Sequence, residues 1–503
     1  MTRVLSAAVL LAVSACLAGA PPPAPLNPVR FLLINDVYVT GTMEDGRGGL
    51  ARVATIRQRL ADQGPVLFVL AGDFLSPSLL SKYYGGRQMI EGLNAAKLNY
   101  ATFGNHEFDL PADTLQARIL SSQFIWISSN CARADGTAFT KVLPWDTVRV
   151  SGHKVGLFGV TIMRDRNPDI RCSDPDSAAH RAIEALQTGG ADLVIGITHQ
   201  SAQADRNLLV REPNLDLILG GHEHTAMDSV VSGRHIVKAD ANARSAQFVT
   251  LWGGKGEWRE AVGRVEIDSR LPEDTAVAAV SERWEDSLRR HQGPERVVGH
   301  TSVPLDARNA VLRTQEAPLG TLVADAIRAG VSADAALLNA GALRIDDVIP
   351  PGPITNHLLE SIFLFTDETR IVTVRLTGAE LREALEHGLA DGVVGSGGFL
   401  QVSGLAYTYD PAGPSGSRIR GAVLAGGAVL AGDRALSVAL PAYLACRGGD
   451  GFRIPADDSI CDRWQSAPRA VDLLTRYVVD SLRGEIRPPA AGRVTQAANT
   501  NPG

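Results

Sequence analysis

A chain of 503 residues is too long for one ordinary core and predicts two large domains. With 45% apolar and 21% charged residues, the composition is that of a soluble globular protein. A net charge of −6 with no long basic run argues against a nucleic-acid polymer as partner. Small anionic substrates stay compatible, because local arginines decide their binding.

Residues 1–20 read as a targeting segment. Arg3 is the charged start, and residues 4–13 form an apolar stretch too short to span a bilayer. Leu11-Ala12-Val13-Ser14-Ala15-Cys16 resembles a bacterial lipoprotein signal with Cys16 as the lipidated first mature residue; plain cleavage after Ala18 or Ala20 is the alternative. Either route means export, to the periplasm or cell envelope, with membrane contact only through a lipid at Cys16. Residues 21–28, opening on Pro21-Pro22-Pro23-Ala24-Pro25, read as a stiff tether.

From 29 to 268 apolar runs alternate with amphipathic stretches. Strands are predicted at 29–34, 66–70, 125–128, 155–160, 193–198 and 215–219, and helices at 50–63, 85–98, 114–122 and 177–188. This alternation implies an α/β fold, with charged clusters where strands end. A charged helical pattern at 269–292 reads as a linker helix. A second, smaller α/β domain is expected at 293–489, with helices at 319–329, 378–388 and 468–483 and strands at 371–376, 406–409 and 436–440. Residues 490–503 read as a flexible tail. The two halves share no motif, so there is no internal repeat.

The cysteines beyond Cys16 are Cys131, Cys172, Cys446 and Cys461. An even count in an exported chain permits the disulfides Cys446–Cys461, which closes a short loop, and Cys131–Cys172; four free thiols are the alternative.

The chemistry-bearing residues come in five clusters, each at the end of an apolar run. They are Asn35-Asp36-Val37-Tyr38, Gly72-Asp73, Gly104-Asn105-His106-Glu107-Phe108-Asp109, Thr198-His199-Gln200 and Gly220-Gly221-His222-Glu223-His224. A dinuclear hydrolase needs a bridging carboxylate, neutral nitrogen or amide ligands, and an open position for water. Asp73 is the bridging candidate. Asp36, Asn105, His199, His222 and His224 supply the remaining donors. A lone Asp after a strand is more often a helix cap; five clusters in order within one α/β domain carry the reading. His106 and Asp109, three apart, can meet across one helical turn, the carboxylate orienting the ring and raising its basicity. Glu107 has no obvious role in the chemistry and reads as a supporting or surface residue.

This order of motifs resembles the calcineurin-like metallophosphoesterases, and the second half narrows the likeness to the 5′-nucleotidase family, which includes the UDP-sugar hydrolases. The resemblance implies a four-layer α/β sandwich followed by a smaller α/β substrate-binding domain. It implies one divalent ion on Asp36, Asp73 and His224 and another on Asp73, Asn105, His199 and His222, with His106 and Asp109 as catalytic dyad. Zn, Mn, Fe or Co suits such donors. Most members carry Asp-x-His at the first motif, where this chain has Tyr38, as a subgroup with Asn-Asp-Val-Tyr also does. A phenol has an unperturbed pKa of about 10 and ligates only when activated, so Tyr38 is an open ligand.

In the second half, Asn339-Ala340-Gly341-Ala342-Leu343-Arg344 follows an apolar run, and a small-residue turn delivering an arginine suits an anion clamp. By the same likeness Arg308, Arg313 and Arg344 hold phosphate, Asp450 the ribose, and Asn339, which opens the Arg344 motif, belongs to the same substrate-binding set. Phe365 stacks on the base beside Asp367. The second ring of the family's base clamp falls on Leu444, leaving neighbouring Tyr443 or a one-sided clamp. The expected function is an exported hydrolase that removes phosphate from nucleoside 5′-phosphates with a metal-activated water and domain closure on the nucleotide. Cleavage of a pyrophosphate in UDP-sugars or NAD, cleavage of a 2′,3′-cyclic nucleotide, and a catalytically decayed nucleotide-binding surface protein are the alternatives.

Overall fold

Both faces of the strand Val29–Ile34 are buried, and its two sets of side chains enter different cores. Successive residues on a strand point to opposite faces. Phe31 and Leu33 enter one core while Leu32 and Ile34 enter another, which explains the continuous apolar run. The computed structural model describes residues 28–43, 45–162, 167–254, 257–365, 369–487 and 491–497. The targeting segment with Cys16, the tether up to residue 27, Asp367 and the last residues of the expected tail lie outside them.

The described residues divide into two compact units, one formed by those up to 76 with those from 85 to 283, the other by 77–84 with those from 284 onward. The division therefore falls inside the helix Thr275–Gln292, which occupies most of the expected linker. Residues 77–84 go with the second unit: Lys82 Nζ sits 2.5 Å from Glu360 Oε1 and donates to the Phe363 carbonyl at 3.1 Å.

In the first unit, five parallel strands, Val29–Ile34, Leu67–Ala71, Tyr100–Thr102, Ile125–Ile127 and Val142–Leu143, form one sheet with two antiparallel strands, Ser245–Gly254 and Glu257–Glu266, added at its edge. A second sheet runs Met227–Val231, Arg234–Lys238, Leu217–Gly220, Leu193–His199, His153–Thr161 and Trp145–Val150. Leu67, Val69, Leu193, Ile195, Ile197, Leu217 and Leu219 fill a core shared by the two sheets. Helices Leu50–Ala61, Arg87–Ala95 and Ala112–Ser121 cover the first sheet's outer face, and Pro175–Thr188 and Ala202–Arg211 the second's. The result is a four-layer α/β sandwich.

In the second unit, Ile371–Thr377, Ala435–Pro441, Ala335–Asn339 and Leu400–Ser403 form a four-stranded sheet that shares one core with the helices Pro318–Gly330, Gly378–Gly388 and Ala470–Arg476. Thr377 and Glu380 close a capping box that starts Gly378–Gly388 where the sequence predicts it.

Several elements escape the sequence reading. The expected helix 85–98 is Arg87–Ala95, preceded by a separate helix Leu79–Tyr84, because Gly85 and Gly86 take positive φ between them. The edge strands Trp145–Val150, Met227–Val231 and Glu257–Glu266 alternate polar residues and are secured by pairing with neighbouring strands. The stretch expected to be a flexible tail instead contributes Val494–Gln496, paired parallel to Leu405–Tyr409, while Arg493 grips Asp325 with two nitrogens at 2.7 and 2.9 Å. The partners of that tail lie far away along the chain, where local composition says nothing of them.

Both disulfides are formed. Cys131 and Cys172 are directly opposed in a short antiparallel pair, and Cys446–Cys461 joins two short helices.

Candidate active site

The carboxyl ends of five parallel strands, three on one sheet and two on the other, deliver the candidate metal ligands of the first unit. Asp36 follows Val29–Ile34, Asp73 follows Leu67–Ala71 and Asn105 follows Tyr100–Thr102, while His199 ends Leu193–His199 and His222 follows Leu217–Gly220. Asp36, Asp73, His222 and His224 all have positive φ, of 53, 59, 82 and 57°. A non-glycine residue held there costs of order 1–3 kcal/mol and persists only where its surroundings impose it. Glycines make the approach possible. A Cβ on Gly104 would stand 2.1 Å from Asp73 Oδ1, and one on Gly221 would stand 2.2 Å from the Ala71 carbonyl oxygen.

Each of the two aspartates divides its oxygens. Asp36 Oδ2 accepts from Asn35 Nδ2 at 2.7 Å and from the His222 amide at 2.8 Å. Its Oδ1 is left facing His224 Nε2 at 3.3 Å and the Tyr38 hydroxyl at 3.4 Å. Asp73 Oδ1 accepts the His106 amide at 2.8 Å, and its Oδ2 faces His199 Nε2 at 3.2 Å and the Tyr38 hydroxyl at 3.3 Å. One oxygen builds the scaffold; the other faces the cluster. Asp36, Asp73 and His199 offer donor atoms within 4.8 Å of one another.

The nitrogens and the amide fit the same purpose. His199 Nδ1 donates to the Ala71 carbonyl at 2.8 Å, which fixes the tautomer and leaves Nε2 to ligate. The His222 ring stands edge-on to His199, centroids 5.2 Å apart. Asn105 Oδ1 is buried with no hydrogen-bond partner, an acceptor suited to a cation. The donor set therefore fits divalent transition ions.

His106 Nδ1 lies 2.7 Å from Asp109 Oδ2, and its Nε2 lies 4.0 Å from Asp73 Oδ2. The 3-10 turn Glu107–Asp109 brings the pair together. Ser76 Oγ donates to the same Asp109 oxygen at 3.0 Å, and Asn167 Nδ2 holds the Phe108 and Leu110 carbonyls at 3.2 and 2.9 Å.

Charge in the cluster is mutually stabilised without metal. Burial pulls the His199 pKa down, but the Asp73 and Asp36 carboxylates outweigh it and push it up to about 9. Burial pushes Asp36 and Asp73 up, yet the histidines hold both below the ordinary carboxylate value, Asp73 well below.

In the second unit, Asn339 ends a sheet strand and its Nδ2 donates to Asp450 Oδ2 at 3.2 Å; its Oδ1 is buried without a hydrogen-bond partner. Asp450 has φ 52°, and its carbonyl lies 2.9 Å from His387 Nε2. The Tyr443 hydroxyl bonds Asp450 Oδ1 and the Asp450 amide, both at 3.2 Å. The Gly449 backbone lies against the Tyr443 ring, where a Cβ would stand 2.3 Å away. Tyr443 is buried in the core, with its hydroxyl engaged by Asp450. Leu444 is fully buried. The Arg344 guanidinium lies 5.4 Å over the Phe365 ring. Arg308 is half-exposed and paired with Asp306, with nitrogen–oxygen distances of 2.6 to 3.2 Å. The Asn309 amide bonds Asp346 at 2.7 Å, which sets the Arg308 turn beside the loop carrying Arg344. The Arg313 carbonyl accepts from the Gly395 amide at 2.8 Å.

Residues 29–226 match the calcineurin-like phosphoesterase family, and residues 297–457 match the 5′-nucleotidase C-terminal domain. The chain belongs to the 5′-nucleotidase family. It is similar to the snake venom 5′-nucleotidase of Naja atra, 26% identical over 91% of this chain and 95% of that protein. It is also similar to the 5′-nucleotidase of Homo sapiens, 25% identical over 89% and 85% of the respective lengths. The crystal structure of a 5′-nucleotidase precursor from Thermus thermophilus has the same fold, with a TM-score of 0.82 at 23% identity over 94% of this chain and all of that one. A sulfate thiohydrolase from the same organism shares the fold at a TM-score of 0.75 and 18% identity, over 96% of this chain and 98% of that one. Membership makes this chain a metal-dependent hydrolase of the 5′-nucleotidase class.

Two buried charged residues support this family site. Of the two readings given above for Glu107, supporting or surface, the structure takes the first: it is fully buried, and its carboxylate accepts the amides of Asp73, Phe74, Leu75 and Gly104 at 2.6 to 2.9 Å. Lys238 is fully buried as well. Its Nζ donates to the carbonyls of Gln200 at 2.7 Å and Gly221 at 2.8 Å and pairs with Asp205 at 2.9 Å, tying the His199 loop to the His222 loop. The available signal was a lysine ending the apolar run of Arg234–Lys238, which its neighbours in sequence do not neutralise.

Proposed function

We propose that this protein is exported and releases phosphate from nucleoside 5′-monophosphates with two divalent ions bound. The observation that carries the reading is the His106–Asp109 pair, 2.7 Å apart, beside the buried Asp36, Asp73 and His199 cluster. Asp36, Asp73 and His224 would hold one ion, and Asp73, Asn105, His199 and His222 the other, with Tyr38 beside the first. Ions bound there acidify a water and draw charge from the phosphoryl oxygens.

The chain's own residues do the rest. Asp109 accepts the Nδ1 proton of His106, fixing the ring so that Nε2 points to the Asp73 side. As imidazolium, His106 stabilises charge on the phosphoryl group or protonates the leaving oxygen. In the second unit Arg308, Arg313 and Arg344 supply guanidinium groups for phosphate, Phe365 a ring for the base and Asp367 a polar contact beside it. Asn339 and Asp450 supply hydrogen bonds for the ribose. Tyr443 positions Asp450, so the base clamp has one ring. Relatives named 5′-nucleotidase along most of their length support the nucleotide substrate. Two disulfides fit an oxidising compartment and support export, with Cys16 as the candidate lipid site. Among the described residues no helix is long and apolar enough to cross a membrane.

His106→Ala should lower turnover of AMP by about 10²–10⁴-fold with metal content unchanged. Activity that survives this change removes His106 from the chemistry. A panel of AMP, ADP, ATP, UDP-glucose, NAD and 2′,3′-cyclic AMP decides between monoester, pyrophosphate and cyclic substrates. No phosphate release from any of them, with nucleotide still bound, would favour the decayed binding protein.

A further inference from the structure

The turn that carries Asp109 is weakly closed by its own bonds. Glu107–Asp109 is a single 3-10 turn. The Asp109 amide reaches the His106 carbonyl at 3.3 Å and the Leu110 amide the Glu107 carbonyl at 3.4 Å. Hydrogen-bond geometry in such turns is poor, and the next donor in line would sit on Pro111, which has no N–H. The Phe108 carbonyl is taken from outside. Asn167 Nδ2 donates to it at 3.2 Å and to the Leu110 carbonyl at 2.9 Å, on the two residues flanking Asp109. Asn167 is itself fixed: its Oδ1 accepts the Asp169 amide at 2.9 Å and its carbonyl the Ile170 amide at 3.1 Å. The Asp169 carbonyl accepts from the Ala134 amide at 2.8 Å. From there Ile170–Cys172 pairs antiparallel with Cys131–Arg133 in a sheet of two strands. So small a pair is marginal alone, and the Cys131–Cys172 disulfide joins its directly opposed ends. A continuous path runs from that disulfide through the Asn167 turn to Asp109.

We propose that Asn167 is a positioning residue of the His106–Asp109 pair and that the Cys131–Cys172 disulfide acts on the chemistry through it. The inference rests on the role given above to His106. The two N–H groups of one side-chain amide draw the carbonyls on either side of Asp109 toward one point. That sets the direction from which the Asp109 carboxylate meets His106 Nδ1, 2.7 Å away. Ser76 Oγ braces the carboxylate itself at 3.0 Å; Asn167 braces the backbone behind it. Without the Asn167 amide the turn keeps only its two long bonds, and the pair loses alignment. The candidate metal ligands have supports of their own in Glu107 and Lys238 and stay in place. The signature of this role is a fall in kcat with KM and bound metal unchanged.

The test uses the full chain loaded with divalent metal and assayed on AMP. Asn167→Asp keeps the oxygen that closes the turn on Asp169 and removes both N–H donors. It should lower kcat about 10- to 100-fold with KM and metal content at the wild-type level, and Asn167→Ala should do the same. Cys131→Ala with Cys172→Ala should also lower kcat, and adding Asn167→Asp to that pair should lower it no further, because both changes release one device. The downfield proton resonance of His106 Nδ1, identified by its absence in His106→Ala, is a readout independent of turnover; it should weaken or shift in every variant. Wild-type kcat with an unmoved resonance in both Asn167 variants overturns the proposal. Metal content that falls together with kcat also overturns it, by making Asn167 a support of the fold. Losses that multiply in the triple variant remove the disulfide from it. A wild-type chain that releases no phosphate from AMP overturns the proposed function instead, a separate failure visible before any variant is made, and the resonance then still tests Asn167.

Discussion

Glu107 Oε2 accepts the backbone amide of Asp73 at 2.8 Å. The same carboxylate takes three further amides, from Phe74, Leu75 and Gly104, so it fixes both loops that carry the bridging candidate and Asn105. Burial and the Asp73 charge push its pKa up to about 7 against the pull of those N–H donors.

Glu107→Ala would orphan buried amides at about 1–3 kcal/mol each. The expected outcome is unfolding of the first unit at clearly lower urea, with bound metal falling below the wild-type level. Glu107→Gln keeps one oxygen acceptor and should recover part of both. Tryptophan fluorescence during a urea titration and elemental analysis of the folded protein check this. Unchanged metal content in the alanine variant would deny the carboxylate its positioning role.

The His199 imidazole makes metal-free protein sensitive to alkali. Its folded pKa of about 9 lies above the reference value of 6.5. A raised value means a stabilising contribution that is complete below about pH 6.5 and disappears as pH rises through 9. The melting temperature of chelator-treated protein should therefore fall across that window, and His199→Gln should flatten the fall. Ion and proton compete for His199, so metal affinity should rise across the same window. Thermal melts and metal titrations at pH 6, 7.5 and 9 measure both slopes.

Glu260 offers a test away from the active centre. Burial pushes its pKa up to about 7, with Asp216 and Asp228 adding to the rise and His235 opposing it. Its Oε2 is buried without a hydrogen-bond partner. The folded value lies above the reference of 4.5, so ionisation destabilises the fold as pH rises between the two values. Glu260→Gln should raise the melting temperature by about 2 °C at pH 8 and leave it unchanged at pH 4.5. Equal gains at both pH values would show that the charge is not the cause.

The Cys446–Cys461 bond, closing a separation of 15 residues, anchors the helix Ala442–Arg447 immediately before Asp450. A loop of that size is worth about 3 kcal/mol of stability when cross-linked. The double variant Cys446→Ala, Cys461→Ala should loosen the Asp450 turn and raise KM for AMP several-fold, with kcat changed less. Steady-state kinetics separates the two. A fall in kcat at constant KM would place the disulfide's effect elsewhere.

The sequence by itself determined what depends on neighbours along the chain. Continuous apolar runs mark the parallel strands buried on both faces, and a helical pattern marks Gly378–Gly388. The order and type of candidate donors, Asp36, Asp73, Asn105, His199, His222 and His224, are also local facts, as is the spacing that lets His106 meet Asp109. Only the tertiary structure decided which oxygen of Asp36 and of Asp73 faces the cluster, because amides up to 186 residues away take the other one. It alone showed Glu107 and Lys238 as fully buried charges, the expected tail as a paired strand, and the Tyr443 hydroxyl on Asp450. Each depends on partners that the fold brings together. A carboxylate or ammonium is stable in the interior only where several hydrogen bonds converge on it, and convergence is a property of the folded chain.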